Sequence, residues 1–205
     1  NYNDALLPAL HDTVQHYQIP REYLYAVLEG VEMDLGAVQY ETFEQLKEYC
    51  YRVASVVGLA CIHVWGFHGL HAEEYAIQSG IAFQLTNILR DVGEDWERNH
   101  IYLPEDMLVA EGVDLDKLLE PVSHAGLAKV CDHIAEVAKA QFKDAEQLIN
   151  SCDKSRVRPA LIMKNLYQRL LLRILDRGWS RLHEPVVLSK FEKSALILTS
   201  TLFSH

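Results

Sequence analysis

The sequence is poor in cysteine, in basic residues and in long apolar runs, and each shortage excludes a class of protein. Its four cysteines show no CxxC pairing, which argues against a dense disulfide framework and favours reduced thiols in a cytosolic protein. Lys and Arg number 19 against 29 Asp and Glu, and the net charge of −10 argues against a non-specific nucleic-acid binder, which needs basic patches. No apolar run reaches the roughly 18 residues of a membrane-spanning helix. The cysteines are Cys50, Cys61, Cys131 and Cys152.

The remaining composition is typical of one globular domain with a sizeable core. The chain has 205 residues, of which 49% are hydrophobic and 23% charged. It opens Asn1-Tyr2-Asn3-Asp4, with neither an initiator Met nor a signal peptide, so we expect a fragment or a trimmed chain. Acidity does not exclude a diphosphate ligand, because bound metal ions can reverse the local sign of charge.

Helical periodicity dominates the chain, and we find no convincing strand alternation. Residues 96–122 are expected to form a loop with short turns. Gly80 lies inside a long helical pattern and predicts close packing or a kink there. Residues 1–205 therefore form one all-α domain of packed helices whose site residues project into a shared cavity. Helices are expected over residues 4–18, 21–35, 42–65, 71–95, 123–150, 157–177 and 188–203.

Four polar side chains share one stripe at the end of the helix expected over residues 71–95: Gln84, Asn87, Asp91 and Asp95. Two carboxylates at i and i+4 repel one another, so a positive group is expected between them. Mg²⁺ takes oxygen ligands, accepts one or two carboxylates and is completed by substrate phosphates. The competing interpretation is a solvated helix end. The two amides on the stripe, with Arg90 beside it, favour the ion.

The same region resembles a known family. Residues 83–107 (FQLTNILRDVGEDWERNHIYLPEDM) resemble the second aspartate-rich motif of the squalene/phytoene synthase family, QLTNILRD-x-x-ED followed by R-x-YLP. Residues 32–58, with Glu32-Met33-Asp34-Leu35 and the run YCYRVASVVG, resemble that family's MDL…RY…YCYxVAxxVG segment. Tyr167 and residues 177–179 resemble its C-terminal helix. The resemblance covers nearly the whole chain.

The resemblance implies a helical bundle of the isoprenoid synthase type with a central cavity. Residues 1–205 would be the C-terminal two-thirds of the family domain, without the first aspartate-rich motif. We therefore expect that the chain alone does not turn over substrate. The implied function is a Mg²⁺-dependent, head-to-head condensation of two prenyl diphosphates. The resemblance allows two substrates. Farnesyl diphosphate would give a presqualene diphosphate or squalene-type product, and geranylgeranyl diphosphate would give phytoene. Residues 177–179 favour the farnesyl, hopanoid or carotenoid branch. No segment resembles a nicotinamide-binding loop, so NADPH has no support.

The resemblance also implies roles for single residues. Asn87, Asp91 and Asp95 would hold Mg²⁺, with the two carboxylates counted as catalytic. Tyr49 would face the pocket as a third catalytic residue, steadying a carbocation or orienting a diphosphate. For the valines and Tyr167, core packing is the alternative. The residues expected to bind substrate are Gln84, Arg90, Val53, Val57 and Tyr167.

The chain departs from the family pattern at three positions that usually carry arginine. Gln39 precedes Tyr40, His100 precedes the Tyr-Leu-Pro, and residues 185–187 contain no arginine. Each change removes a fixed positive charge that would help to hold diphosphate.

These departures favour an alternative function, a non-catalytic prenyl-lipid-binding or scaffold member of the same family. An in-frame DxxxD motif encoded upstream of Asn1 would support the enzyme, and its absence the scaffold. A di-metal carboxylate bundle needs paired Glu-x-x-His motifs, and only Glu97 and His100 have that spacing. We expect a cytoplasmic protein with no nucleic-acid partner. The resemblance is compatible with peripheral membrane association for product release. It is also compatible with either a monomer or a homodimer.

Overall fold

The computed structural model describes residues 6–67, 70–121, 124–150 and 157–202. Within these ranges the fold is helical, as expected, and no helix is both long enough and apolar enough to cross a membrane. Cys50, Cys61 and Cys131 are free thiols, as predicted, while Cys152 lies outside the described residues. The α-helices are α1 Leu6–His16, α2 Arg21–Glu32, α3 Phe43–Cys50, α4 Val56–Trp65, α5 Leu70–Glu97, α6 Glu105–Ala110, α7 His124–Asn150, α8 Arg158–Arg177 and α9 Lys190–Leu202.

The helix predicted over residues 42–65 is confirmed in extent, but a short π-helix interrupts it. Its start is fixed by Thr42, whose side chain accepts from the Gln45 backbone N–H at 3.4 Å. Between α3 and α4, Tyr51–Ser55 form a π-helix, a wider turn that is often found at functional sites. The helix ends at Gly66, whose φ of 64° places it in the left-handed region that favours glycine.

The core lies mainly between α5 and α7, the two longest helices. Leu85 and Leu89 of α5 and Leu127 and Ile134 of α7 are completely buried in it. A second buried cluster joins α4, the start of α5, the end of α7 and the start of α8. Since α5 belongs to both clusters, its polar stripe is held on a helix that is packed along its length.

The loop predicted over residues 96–122 contains more regular structure than expected. It includes α6, a 3₁₀ turn at Leu115–Lys117 and the strand β2, His100–Ile101. This strand pairs in parallel with β1, Val38–Gln39, with Val38 opposite His100. Two-residue strands are too short to show alternation, so the sequence analysis missed them. The pairing brings together the two chain segments in which Gln39 and His100 replace arginine.

Candidate functional site

Asn87 and Gln84 begin the polar stripe of α5. The Asn87 Nδ2 donates to Gln84 Oε1 at 3.3 Å. The Asn87 Oδ1 is buried and accepts no hydrogen bond from the residues that the structure describes. A buried acceptor left without a donor is costly in a folded protein. This oxygen is therefore available to a cation or to a donor on a ligand.

Asp91 is already paired within the chain. Both of its oxygens accept from Arg90, Oδ1 from Nε at 2.7 Å and Oδ2 from the terminal nitrogen at 2.6 Å. The side chains are one third and about one quarter exposed (33% and 27%). The hydrogen bonds to Asp91 raise the pKa of Arg90, against the opposing effect of its burial. The guanidinium thus neutralises Asp91 from the neighbouring position.

Among the residues that the structure describes, Asp95 has no such neutralising partner, and its raised pKa reflects this. Burial first, and the charge of Asp91 second, raise its pKa to about 6. His100 and Arg98 oppose the shift more weakly. The carboxylate lies beside His100 and Tyr102 in a recess of about 10 Å³. The expected repulsion between Asp91 and Asp95 is therefore present, but burial is the larger cause.

A large apolar cavity adjoins the amide end of the stripe. It measures about 450 Å³ and lies between the α3–α4 helix, α5 and α8. Val53, Val57 and Tyr167, which were predicted to bind substrate, all line it. The Tyr167 ring stacks on Phe83, with centroids 4.3 Å apart. The other lining residues are Ala54, Gly58, Cys61, Ile62, Trp65, Tyr75, Ala76, Ser79, Gly80, Gln84, Asn87, Ala160 and Met163.

The expectation that all four polar residues line one cavity is wrong. Gln84 and Asn87 line the apolar cavity, whereas Asp91 and Arg90 line a second cavity of about 580 Å³ together with residues 182–187. Asp95 lines the small recess. Residues of α8 line the first cavity and residues 182–187 line the second, so the contacts of α5 with other parts of the chain change along the stripe. These contacts are not visible in the helical periodicity.

Tyr49 is not among the described residues that line the apolar cavity, in contrast to its expected position. It is 3% exposed, and its hydroxyl donates to Asp34 Oδ2 at 2.9 Å. Burial, then Tyr102 and Asp34, raise its pKa far above the ordinary tyrosine value. Its ring stacks on that of Tyr102, with centroids 5.2 Å apart. Tyr49 thus belongs to a polar cluster beside the cavity.

Two members of this cluster, Asp34 and Tyr102, were not among the predicted site residues. Tyr102 donates to Asp34 Oδ1 at 2.8 Å across 68 positions of sequence. The Tyr40 ring packs beside Tyr49 at 5.5 Å. Both missed residues stand inside segments that carry the family resemblance, Met33-Asp34-Leu35 and Tyr102-Leu103-Pro104. The resemblance was their only signal, because no local spacing connects them.

Two of the positions that replace arginine have short polar contacts. The Gln39 amide donates to Glu105 Oε2 at 2.8 Å, and His100 Nε2 lies 3.0 Å from the Gly36 carbonyl oxygen. The Gln39 contact thus joins β1 to α6, and the His100 contact joins β2 to the turn that precedes β1. At the third position, residues 185–187 line the second cavity with apolar side chains.

The oxygen atoms of the stripe suit a hard divalent cation only in part. No three His, Cys, Asp or Glu side chains among the described residues converge to hold a metal ion. Asn87 Oδ1 is unpaired, and Asp95 is held in its ionised form at an energetic cost near neutral pH. Two carboxylates and an amide oxygen match the few protein ligands that Mg²⁺ takes when phosphates and water complete its shell. The residues therefore fit one side of such a site.

Comparisons with known proteins place the chain among relatives with known names. The family model described as squalene/phytoene synthase matches residues 1–192. The chain is 34% identical to the presqualene diphosphate synthase of Zymomonas mobilis, over 93% of this chain and 64% of that protein. It is 34% identical to the phytoene synthase of Thermus thermophilus, over 90% of this chain and 63% of that protein. The chain thus spans less than two thirds of either relative.

A solved structure shares the fold. The squalene synthase from Alicyclobacillus acidocaldarius superposes with a TM-score of 0.73 at 24% identity, over 87% of this chain and 66% of that one. The expected all-α architecture of the isoprenoid synthase type is confirmed. Since the family model matches the chain from its first residue to the start of α9, the chain belongs to the squalene/phytoene synthase family.

Proposed function

We propose that this protein condenses two prenyl diphosphates head to head, with loss of diphosphate from one of them. The observation that carries the proposal is the position of the apolar cavity relative to the stripe on α5. The cavity is lined by aliphatic and aromatic side chains, and Gln84 and Asn87 stand where it meets the polar residues. A prenyl diphosphate has the same division into a long apolar chain and a charged head.

The cavity suits a branched hydrocarbon chain. Its volume of about 450 Å³ lies within the range of small-molecule sites, which are mostly apolar with a few polar groups that fix orientation. Small residues of the π-helix, of α4 and of α5 line it and leave room for a ligand: Ala54, Gly58, Ala76 and Gly80. Val53, Val57 and Tyr167 would contact the chain. The two amides then set which end of the substrate faces the carboxylates.

The polar residues beyond the cavity would receive the diphosphate. Asn87, Asp91 and Asp95 would hold Mg²⁺, which when bound supplies a Lewis acid for the departing diphosphate. Arg90 would bind phosphate oxygens with its planar fork, exchanging part of its pairing with Asp91. Gln84 would bind the diphosphate from the cavity side. Asp95 gains most from a bound cation, because a nearby positive charge would reverse its raised pKa.

The proposed reaction balances without an oxidant or a reductant. The C1–O bond of one substrate breaks, and the diphosphate leaves with the electron pair. The double bond of the second substrate attacks the positive carbon, and loss of one proton closes a cyclopropane. The protein positions the two chains and excludes water from the cation. Phe83 and Tyr167 place aromatic rings beside Asn87, where π electrons favour positive charge.

Either farnesyl diphosphate or the longer geranylgeranyl diphosphate is compatible with the proposed function. Presqualene diphosphate synthases and phytoene synthases both occur among the relatives. Peripheral membrane association would give an insoluble product a route out of the cavity, and either a monomer or a homodimer is compatible with it.

The test is product formation by the complete gene product with Mg²⁺ and each substrate, followed by mass spectrometry. Asp91→Asn should reduce turnover by about a hundredfold or more, because it weakens the hold on the ion beside the departing diphosphate. Asp144→Asn, an exposed position on α7, should not change turnover. We expect residues 1–205 alone to be inactive, because they match less than two thirds of the length of either relative. Near-wild-type turnover by Asp91→Asn would remove Asp91 from the proposed metal site.

One observation favours the alternative, a prenyl-lipid-binding protein without catalysis. Asp91 is fully paired with Arg90, and Gln39 and His100 contribute no fixed positive charge. That protein would bind prenyl diphosphates or prenyl alcohols with the same affinity with and without Mg²⁺, and would release no diphosphate. The same samples distinguish the two functions if binding is measured beside product formation.

A further inference from the structure

The Asp34 carboxylate lies between two tyrosine hydroxyls from distant parts of the chain. Tyr49 of α3 donates to one carboxylate oxygen at 2.9 Å, and Tyr102, after β2, donates to the other at 2.8 Å. The two rings are stacked, with an interplanar angle of 28°. One carboxylate therefore fixes the direction of both O–H bonds.

Each phenol has a single proton to donate, and the shortest contact of each hydroxyl directs that proton to Asp34, while the Tyr102 oxygen also lies 3.4 Å from His100 Nδ1. Burial raises the pKa of Tyr49 and of Tyr102, and the negative charge of Asp34 adds to this, so both phenols stay protonated. What remains on each phenol oxygen is acceptor capacity. A further partner of either oxygen must then be a donor or carry positive charge, while a diphosphate oxygen is itself an acceptor.

The pair lies at the polar end of the candidate site. Tyr102 lines the small recess together with Asp95 and His100. Tyr49 precedes Val53 by one helical turn, and Val53 lines the apolar cavity. The two phenols thus stand between the carboxylate end of α5 and the wall of the cavity.

We propose that Asp34 is a positioning residue that presents the oxygens of Tyr49 and Tyr102 as acceptors towards positive charge at this end of the site. Neither tyrosine then binds the diphosphate. The inference rests on the proposed function, because positive charge develops there when the allylic C–O bond breaks. Acceptors fixed before the reaction stabilise such charge without reorganising. The resemblance implies two roles for Tyr49, steadying a carbocation or orienting a diphosphate. This arrangement favours the first.

The first experiment needs no turnover. In the complete protein with isotope-labelled tyrosine, nuclear magnetic resonance should show two slowly exchanging hydroxyl protons, assigned with Tyr49→Phe and Tyr102→Phe. Neither signal should move when magnesium pyrophosphate binds, and Asp34→Asn should abolish at least one. Absence of these signals from the wild type, or loss of either on binding of pyrophosphate, would overturn the proposal.

The second experiment measures turnover. Asp34→Asn should lower kcat about tenfold or more and leave KM within about twofold, because the lost interaction acts in the transition state. Asp144→Asn is the matched control. In a Tyr49→Phe/Tyr102→Phe background, Asp34→Asn should change kcat no further. An equal loss in both backgrounds, or a raised KM with unchanged kcat, contradicts a role through the tyrosines.

Two outcomes need separate treatment. If Asp34→Asn does not fold, Tyr102→Phe keeps the carboxylate and removes one hydroxyl, and it must show the same kcat loss at unchanged KM. If the wild type forms no head-to-head product, the proposed function fails, and the resonance experiment alone decides how Asp34 orients the two phenols.

Discussion

At the scale of single residues, Asp91 and Asp95 show how neighbours separate two identical side chains. The sequence places them on one stripe and predicts mutual repulsion. In the structure Arg90 neutralises Asp91 through two hydrogen bonds, whereas burial and Asp91 raise the pKa of Asp95 to about 6. The energetic cost of the acidic pair in the absence of metal therefore falls on Asp95.

This asymmetry predicts a pH dependence for the metal-free protein. The folded-state pKa of Asp95 is above its unfolded value, so the folded state holds the proton more tightly. Its ionisation lowers the free energy of unfolding as the pH rises through 6, and below about pH 4 the effect is absent. Asp95→Asn removes the ionisable carboxyl, so its free energy of unfolding should not fall in this way. At pH 7 the variant should be more stable than the wild type by about 1 kcal/mol, a value that allows for solvent screening.

The measurement is thermal or urea unfolding of both proteins at pH 4 and pH 7 without metal. Asp91→Asn is the matched variant, and it should lower stability because Arg90 loses a partly buried partner. With magnesium pyrophosphate, the wild type should gain more stability than Asp95→Asn. If Asp95→Asn is no more stable than the wild type at pH 7, its carboxylate is not strained in the metal-free protein.

At the scale of elements, the contact between α5 and the π-helix sets one wall of the apolar cavity. A Cβ on Gly80 would lie 2.4 Å from Ser55 Cα and 2.5 Å from Ser55 N. Backbone atoms cannot rotate away as a flexible side chain can. The close packing predicted for Gly80 from its place in a helix is therefore confirmed, and its partner is the wide turn that interrupts the α3–α4 helix.

Gly80→Ala should therefore destabilise the protein, although alanine favours helices. The two helices must separate, and we expect a net loss of about 2 kcal/mol in the free energy of unfolding, measured in urea. Gly58→Ala is the control on the same cavity, since its nearest neighbour, Ala76 O, would be 3.3 Å away. There the helix-propensity gain of about 1 kcal/mol should offset a small adjustment. Equal effects of the two substitutions would show that the approach at Ser55 is not tight.

At the scale of the whole molecule, one buried guanidinium connects three parts of the fold. Arg177, at the end of α8, donates to the carbonyl oxygens of Leu89 and Arg90 on α5 and of Glu184 in the following segment. It is 7% exposed, and burial lowers its pKa. These contacts hold residues 182–187 against α5, where those residues line the cavity that also contains Arg90 and Asp91.

Arg177→Met should unfold at a distinctly lower urea concentration. Three hydrogen bonds to carbonyl oxygens are lost, one of them buried and two partly buried, and we expect a cost of about 3 kcal/mol. Arg181→Met, about half exposed in the next turn, should cost less than about 1 kcal/mol. If the two substitutions cost the same, Arg177 does not anchor the C-terminal segment.

Local pattern predicted much of the fold, because helix formation depends on periodicity and on end signals close in sequence. The extents of α5, α7 and α8 match the prediction to within about two residues, which is the usual uncertainty of helix ends. Thr42 and Gly66 stand at the two ends of the helix expected over residues 42–65. The π-helix and the β1–β2 pair were not predicted, because both depend on contacts with other elements.

The sequence by itself determined the family, the helical class and the oxygen-rich stripe on α5, because these follow from residue types at fixed local spacing. Only the tertiary structure decided how the stripe is used. Packing of α8 and residues 182–187 divides it between cavities, and Arg90 pairs with Asp91 while Asp95 remains without a neutralising partner. Asp34 meets Tyr102 only because folding closes a separation of 68 residues. Burial and charge at such contacts are properties of assembled neighbours, so no local pattern records them.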